Sequence, residues 1–207
     1  MLKHACLVFS AVLAWNISVF AADKVANPMQ PPDLELLKGD KKPLREARKD
    51  VLSSLYNQLS LSKNAESAEL IVSAIDRLWT QSGSDTTDLL MQRAQVALQE
   101  QNYDLAIELL QSISEIDPRY VAGWSQLATV YYLKDRYHEA MNGLRRVLAL
   151  DPKHFKAIEG LGIILRETGK TKAALAVMRR ALEIHPFLET AKKAVEELER
   201  EVEGQGI

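Results

Sequence analysis

The stretch Val121-Ala-Gly-Trp124-Ser-Gln-Leu127-Ala128-Thr-Val-Tyr131-Tyr-Leu-Lys-Asp-Arg-Tyr137-His-Glu-Ala140-Met-Asn-Gly-Leu144-Arg-Arg-Val-Leu-Ala-Leu-Asp-Pro152 decides the fold. Two helical runs are written into it. Small residues stand where their backbones would cross, Ala128 on the first run and Ala140 on the second, and Trp124, Tyr131 and Leu144 supply bulk to fill the space between. Pro152 forces the preceding residue out of the α region and ends the second run. Outward from this hairpin the same landmarks recur every 34 residues: Pro118, Pro152 and Pro186; Ala106, Ala140 and Ala174; Tyr103, Tyr137 and Thr171; Ala94, Ala128 and Gly162. A fixed period of this length marks a stack of helical units, none of which buries its apolar face alone. Composition points the same way. With 47% hydrophobic but only 6% aromatic residues, the interior rests on Leu, Ile, Val and Ala, which suits an all-α class.

Trp124, Leu127, Ala128, Tyr131, Tyr137, Ala140, Leu144 and Pro152 occupy the signature places of a tetratricopeptide repeat (TPR), so 121–154 resembles a unit of that family. Residues 87–120 keep Ala94, Tyr103, Ala106, Leu110 and Pro118 but carry Leu90, Arg93 and Ala97 where the pattern prefers Trp, Leu and Tyr. Residues 155–188 keep Leu161, Gly162, Ala174, Ala181 and Pro186, with Ile158, Leu165 and Thr171 in place of the aromatics. The resemblance implies an all-α TPR solenoid of antiparallel hairpins. Upstream, 44–86 reads as a divergent hairpin of the same kind, with Leu52, Leu55 and Leu59 on one face of its first helix and Leu70, Ile71, Ala74, Ile75 and Leu78 on its second. Extending the frame over 49–82 puts Ala68 at the small-residue place and leaves 83–86 as an insertion. Downstream, Leu188, Ala191, Ala194, Val195 and Leu198 make the apolar stripe of a C-terminal capping helix over 189–201, and 202–207 is a tail expected to fray.

The chain opens with one basic residue, Lys3, an apolar run and small residues before Asp23, the layout of a secretory signal peptide over 1–22. Retention as an uncleaved anchor is the alternative, because the run approaches bilayer-spanning length; Asn16 and the terminal small residues favour cleavage, after which no stable membrane anchor remains. Residues 23–43, with Pro28, Pro31, Pro32 and Pro43, read as a flexible linker. Cys6, the sole cysteine, leaves with the signal, so the mature chain has no disulfide or thiolate chemistry. The expected location is the periplasm.

A net charge of −2 supplies no field for nucleic acid or an acidic membrane surface, so neither is an expected partner. The doublets Arg145-Arg146 and Arg179-Arg180 recur at one repeat place, but with Glu139, Glu183 and Glu189 nearby they read as a solvated helix face. His138, His154 and His185 stand in no HExxH pattern and beside no recognisable nucleophile, and no glycine loop cradles phosphate. Asp151 and His154 sit close together at a repeat junction, where Asp is expected to end a helix. No catalytic, metal or cofactor site is expected.

The TPR resemblance implies instead a protein-binding surface on the concave face, lined by the first helix of each repeat. Its candidate contacts are Met91, Gln92, Gln95 and Gln99; Ser125, Thr129 and Tyr132; Lys156, Glu159, Ile163 and Arg166, with Asn57 joining from the divergent hairpin. This mostly neutral-polar surface suits an extended peptide. Some TPR proteins clamp a terminal carboxylate with Lys, Arg and Asn; Lys156 fits one such place, but Gly160 stands where an Arg is needed. The segment 77–91 is similar to exported TPR proteins of Gram-negative alphaproteobacteria associated with the cell envelope. The leading expectation is therefore a non-enzymatic scaffold that holds an envelope protein or peptide, and the second is a self-associating solenoid, a homo-oligomer without a peptide ligand.

Overall fold

In the computed structural model the described residues, 44–204, form nine α-helices and no strand: α1 (Leu44–Ser60), α2 (Ala65–Thr80), α3 (Asp85–Gln99), α4 (Tyr103–Ile116), α5 (Val121–Leu133), α6 (Tyr137–Leu150), α7 (Phe155–Glu167), α8 (Thr171–Ile184) and α9 (Glu189–Gly204). The signal peptide, the linker and residues 205–207 lie outside the described residues. Helix α9 takes in residues 202–204, part of the stretch expected to fray.

Three hairpins, α3/α4, α5/α6 and α7/α8, stack in order, and each second helix packs on the first helix that follows it: α4 on α5, α6 on α7, α8 on α9. One backbone device closes each of these three hairpins. Gln101 and Asp135, each at φ 57°, and Gly169, at φ 71°, hold the same repeat position in the left-handed region. The next residue then reaches back to an orphan carbonyl, Asn102 N–H to Ala97, Arg136 to Tyr131 and Lys170 to Leu165, each at 2.8 Å, the Schellman closure of a helix C-terminus. Between hairpins a second device repeats. Tyr120 N–H donates to the Asp117 carbonyl, His154 to Asp151 and Leu188 to His185, each at 3.1 Å. These three turns, at one place in every repeat, line one edge of the stack.

Small residues set the crossings. A Cβ added to Gly143 would stand 2.9 Å from the Ala128 Cβ, and one added to Gly162 would stand 2.8 Å from the Met178 methyl. Trp124 is only half-buried and is anchored by its Nε1, which donates to the Pro118 carbonyl at 3.0 Å. The basic doublets are internal fastenings. Arg146 reaches the same Pro118 carbonyl at 3.5 Å and Arg180 reaches Pro152 at 3.1 Å, while Arg179 pairs with Glu199 at 2.7 Å.

The α1/α2 hairpin departs from the extended frame: it does not head the stack. Its principal neighbours are α5 and α8 instead of α3 and α4, so it lies across the inter-repeat turns. Leu55, Tyr56 and Leu59 of α1 and Ala68, Ile71, Ile75 and Trp79 of α2 close around Phe155, with Val121, Ile184, Phe187 and Leu188 packed on the rim. Leu70, read from sequence as part of the α2 apolar face, is 65% exposed. The link to α3 is short. Arg48 donates to the Gln81 carbonyl at 3.0 Å, Gly83 turns the chain at φ 77°, and Ser84 caps α3, which already includes Asp85 and Thr86 of the expected insertion.

Candidate functional site

The first helices α3, α5 and α7 carry the residues named from sequence, and the structure sorts them. Gln92, Gln95 and Gln99 are exposed along α3, and Ser125, Thr129 and Tyr132 are half-buried along α5. The Thr129 hydroxyl donates to the Ser125 carbonyl at 3.0 Å, and the Tyr132 ring lies 5.8 Å from that of Tyr137. Met91 is a correction. It is 8% exposed and belongs to the central core with Ala94 and Ala97, because an unbranched thioether bends into space between helices instead of facing water.

On α7 the polar residues already have partners within the chain. Lys156 pairs with Asp76 of α2 at 2.7 Å. Arg166 pairs with Glu197 of α9 at 2.8 Å, and Glu159 accepts a hydrogen bond from Thr190. Burial pushes the Glu159 carboxyl up to about 7, against the opposing pull of the Lys156 charge. Ile163 packs against the C-terminal core cluster. Asn57 accepts from Lys153 Nζ at 3.3 Å, which places it over the turn edge with α1 and apart from the groove residues of α3 and α5. The open part of the surface is therefore the glutamine row of α3, continued by the half-buried Ser125 and Thr129 of α5.

Sequence reasoning missed a second constellation, where α1/α2 meets the 151–155 turn. Asp151 Oδ1 accepts from the Lys153 N–H at 3.2 Å and fixes the turn. Its Oδ2 accepts from Tyr56 Oη at 2.5 Å and Trp79 Nε1 at 2.9 Å. Tyr56 and Trp79 are 3% and 7% exposed, so one carboxylate oxygen satisfies two buried donors. Burial, then the Asp151 charge, hold the Tyr56 phenol far above its ordinary range. His154 stacks on the Trp79 indole with ring centroids 3.6 Å apart, and its Nδ1 caps α7 by accepting the Ala157 N–H at 3.1 Å. Burial, aided by the Lys156 charge, pushes its imidazole down to about 3. Tyr120 extends the same seam, its hydroxyl donating to the Thr80 carbonyl at 2.8 Å. The available signal was two aromatics, Tyr56 and Trp79, given no role by the repeat pattern, and an Asp and a His close together at a repeat junction. Among the described residues no three His, Cys, Asp or Glu gather as metal ligands.

Stacked antiparallel helical hairpins with an open face on their first helices define a helical-repeat solenoid, the class used to hold other chains. Comparison with known proteins places it more narrowly. Family profiles described as Tetratricopeptide repeat match residues 97–161 and 156–187. A TPR repeat-containing protein of Rhizobium etli is 31% identical over 156 residues, 75% of this chain and 76% of that one. The chain belongs to the tetratricopeptide repeat family. Among solved structures, the Sgt2 TPR domain from Aspergillus fumigatus superposes with a TM-score of 0.55 at 22% identity, over 59% of this chain and 83% of that one. The second TPR domain of human RPAP3, in complex with an HSP70 peptide, gives 0.52 at 20% identity over 55% and 95%. These two likenesses concern the fold.

Proposed function

We propose that the protein is a non-enzymatic scaffold that acts after export to the periplasm, where the α3 and α5 row holds an extended segment of a cell-envelope protein. The observation that carries this reading is the division of the first-helix surface. Gln92, Gln95, Gln99, Ser125 and Thr129 offer neutral donors and acceptors suited to a peptide backbone, whereas Lys156, Glu159 and Arg166 are engaged within the chain. A related fold holding an HSP70 peptide supports peptide binding in general. A terminal-carboxylate ligand fits this chain poorly, since Asp76 already occupies Lys156 and Gly160 supplies no guanidinium. Amide side chains give register without charge selection, so binding here should depend little on salt.

The test is capture from native envelopes by the mature protein and by a Gln95→Lys, Tyr132→Ala double variant, with the captured protein identified and then titrated in purified form. A single envelope protein bound by the wild type and at least tenfold weaker on the variant, with helicity unchanged, is the expected result. Equal binding by both proteins would remove the groove from the account.

A further inference from the structure

Each first helix in the stack turns one stripe toward the hairpin before it. In α5 the stripe is Gly123, Leu127 and Val130; in α7 it is Ala157, Leu161 and Ile164; in α9 it is Ala191, Val195 and Leu198. The outer two residues of each of these three stripes are buried, with Val130 at 0%, Ile164 at 1% and Leu198 at 0% exposure. What covers them is the second helix of the preceding hairpin. Ile113 of α4 stands 2.8 Å from where a Gly123 Cβ would be, and Val147 and Ala181 hold the same place in α6 and α8. The register thus specifies the occupant of this stripe as a helix bearing small aliphatic residues.

In α3 the stripe is Leu89, Arg93 and Val96, and it is open. Leu89 and Val96 are each 51% exposed, Arg93 is exposed, and among the described residues Arg93 has no ion-pair partner. The far end of the stack is finished differently, since α9 shows Lys193, Glu196 and Arg200 to solvent, as a polar terminal cap should. The chain's own α2 is a poor cover for α3. Its inner face of Ala68, Ile71, Ile75 and Trp79 is apolar and would leave the Arg93 guanidinium as a buried charge without a partner. A second copy is also a poor cover. A two-fold pairing that sets Leu89 on the partner's Val96 brings the two Arg93 side chains together near the axis, where like charges repel.

We infer that Leu89, Arg93 and Val96 form a docking surface for an acidic amphipathic α-helix of a partner protein. The helix seats small aliphatic side chains on Leu89 and Val96 and sets a carboxylate against Arg93, extending the stack by one helix in the geometry that α4, α6 and α8 already use. This surface is distinct from the groove row.

The probes come from the chain itself, as stapled helical peptides. Residues 103–116, the helix that covers α5, are acidic through Asp104, Glu108 and Glu115; residues 171–184, the helix that covers α9, are basic through Lys172, Arg179 and Arg180. In fluorescence-anisotropy titrations with the full chain, the acidic peptide should bind at least tenfold more tightly than the basic one. Arg93→Glu should reverse that order. Leu89→Ser with Val96→Ser should abolish both interactions at unchanged helicity, while the Gln95→Lys, Tyr132→Ala variant should bind like wild type. No binding of the acidic peptide, or an order indifferent to Arg93→Glu, overturns the inference. So does a stable dimer in light scattering that dissociates on the Leu89→Ser, Val96→Ser change, because the occupant would then be a second copy.

Discussion

Replacing Asp151 with Ala should release the α1/α2 hairpin and leave the repeats intact. The side chain accepts three hydrogen bonds, two of them from the buried donors of Tyr56 and Trp79, at 2.5 and 2.9 Å. Truncation strands both donors, at about 1 to 3 kcal/mol each, and removes bonds strengthened by the carboxylate charge. A loss of roughly 3 kcal/mol is the central expectation, equivalent to about a 150-fold rise in the detached population. The effect should be local, because the hairpin's buried cluster is separate from the α3 to α6 core. Amide hydrogen exchange reports this directly: protection in residues 44–80 should fall by about that factor while α5 and α6 change little. Asp151→Asn keeps an acceptor oxygen and should fall between the two. If the 44–80 amides of Asp151→Ala exchange as slowly as in wild type, the carboxylate does not hold the hairpin. If all nine helices lose protection together, the hairpin is not a separable unit.

Two further outcomes follow from buried groups. His154 ionises near 3 in the fold and near 6.5 when unfolded, so the unfolded chain binds the extra proton and stability falls as pH drops from about 6.5 toward 3, at about 1.4 kcal/mol per pH unit. Glu159, pushed up to about 7, acts in the opposite sense, with stability lost as pH rises from about 4.5 to 7. Relative to wild type, His154→Asn should therefore gain stability progressively on acidification and Glu159→Gln on alkalinisation, read from urea midpoints between pH 4 and 8; parallel profiles would refute the assignment. Gly143→Ala drives a methyl into the Ala128 methyl and backbone and should destabilise by about 1 to 3 kcal/mol despite better helix propensity. Gly162→Ala meets only the flexible end of Met178 and should cost less, so equal shifts in melting temperature would contradict the crossing geometry.

The repeats were legible because a solenoid writes its contacts into a period. Pro118, Pro152 and Pro186, or Ala106, Ala140 and Ala174, report packing that recurs locally. The seat of α1/α2 was not legible, since an apolar helix face says that it must be covered and does not say by what. The residues that decide it, Trp79 and Asp151, are 72 positions apart, and Asp151 at a helix end has an adequate local explanation. Met91 was misassigned for a related reason: repeat position alone does not tell whether a flexible side chain turns inward. On the groove, sequence could place Lys156, Glu159 and Arg166 on one helix but not the Asp76, Thr190 and Glu197 side chains that meet them.

One departure visible in the sequence bears on both surprises. Leu127 and Leu161 fill the central stripe position of α5 and α7, and Arg93 takes that place in α3. A leucine there would have made α3 a suitable seat for the apolar face of α2, and the hairpin could then have stacked as one more repeat. With a guanidinium in the stripe, that stacking buries a charge without a partner. The inter-repeat edge offers α2 the opposite bargain: the Asp151 carboxylate for its indole N–H, the Lys156 ammonium for Asp76, and Phe155 for its aliphatic face. The charge that turns away the chain's own hairpin is therefore the feature by which the α3 end would select an acidic helix.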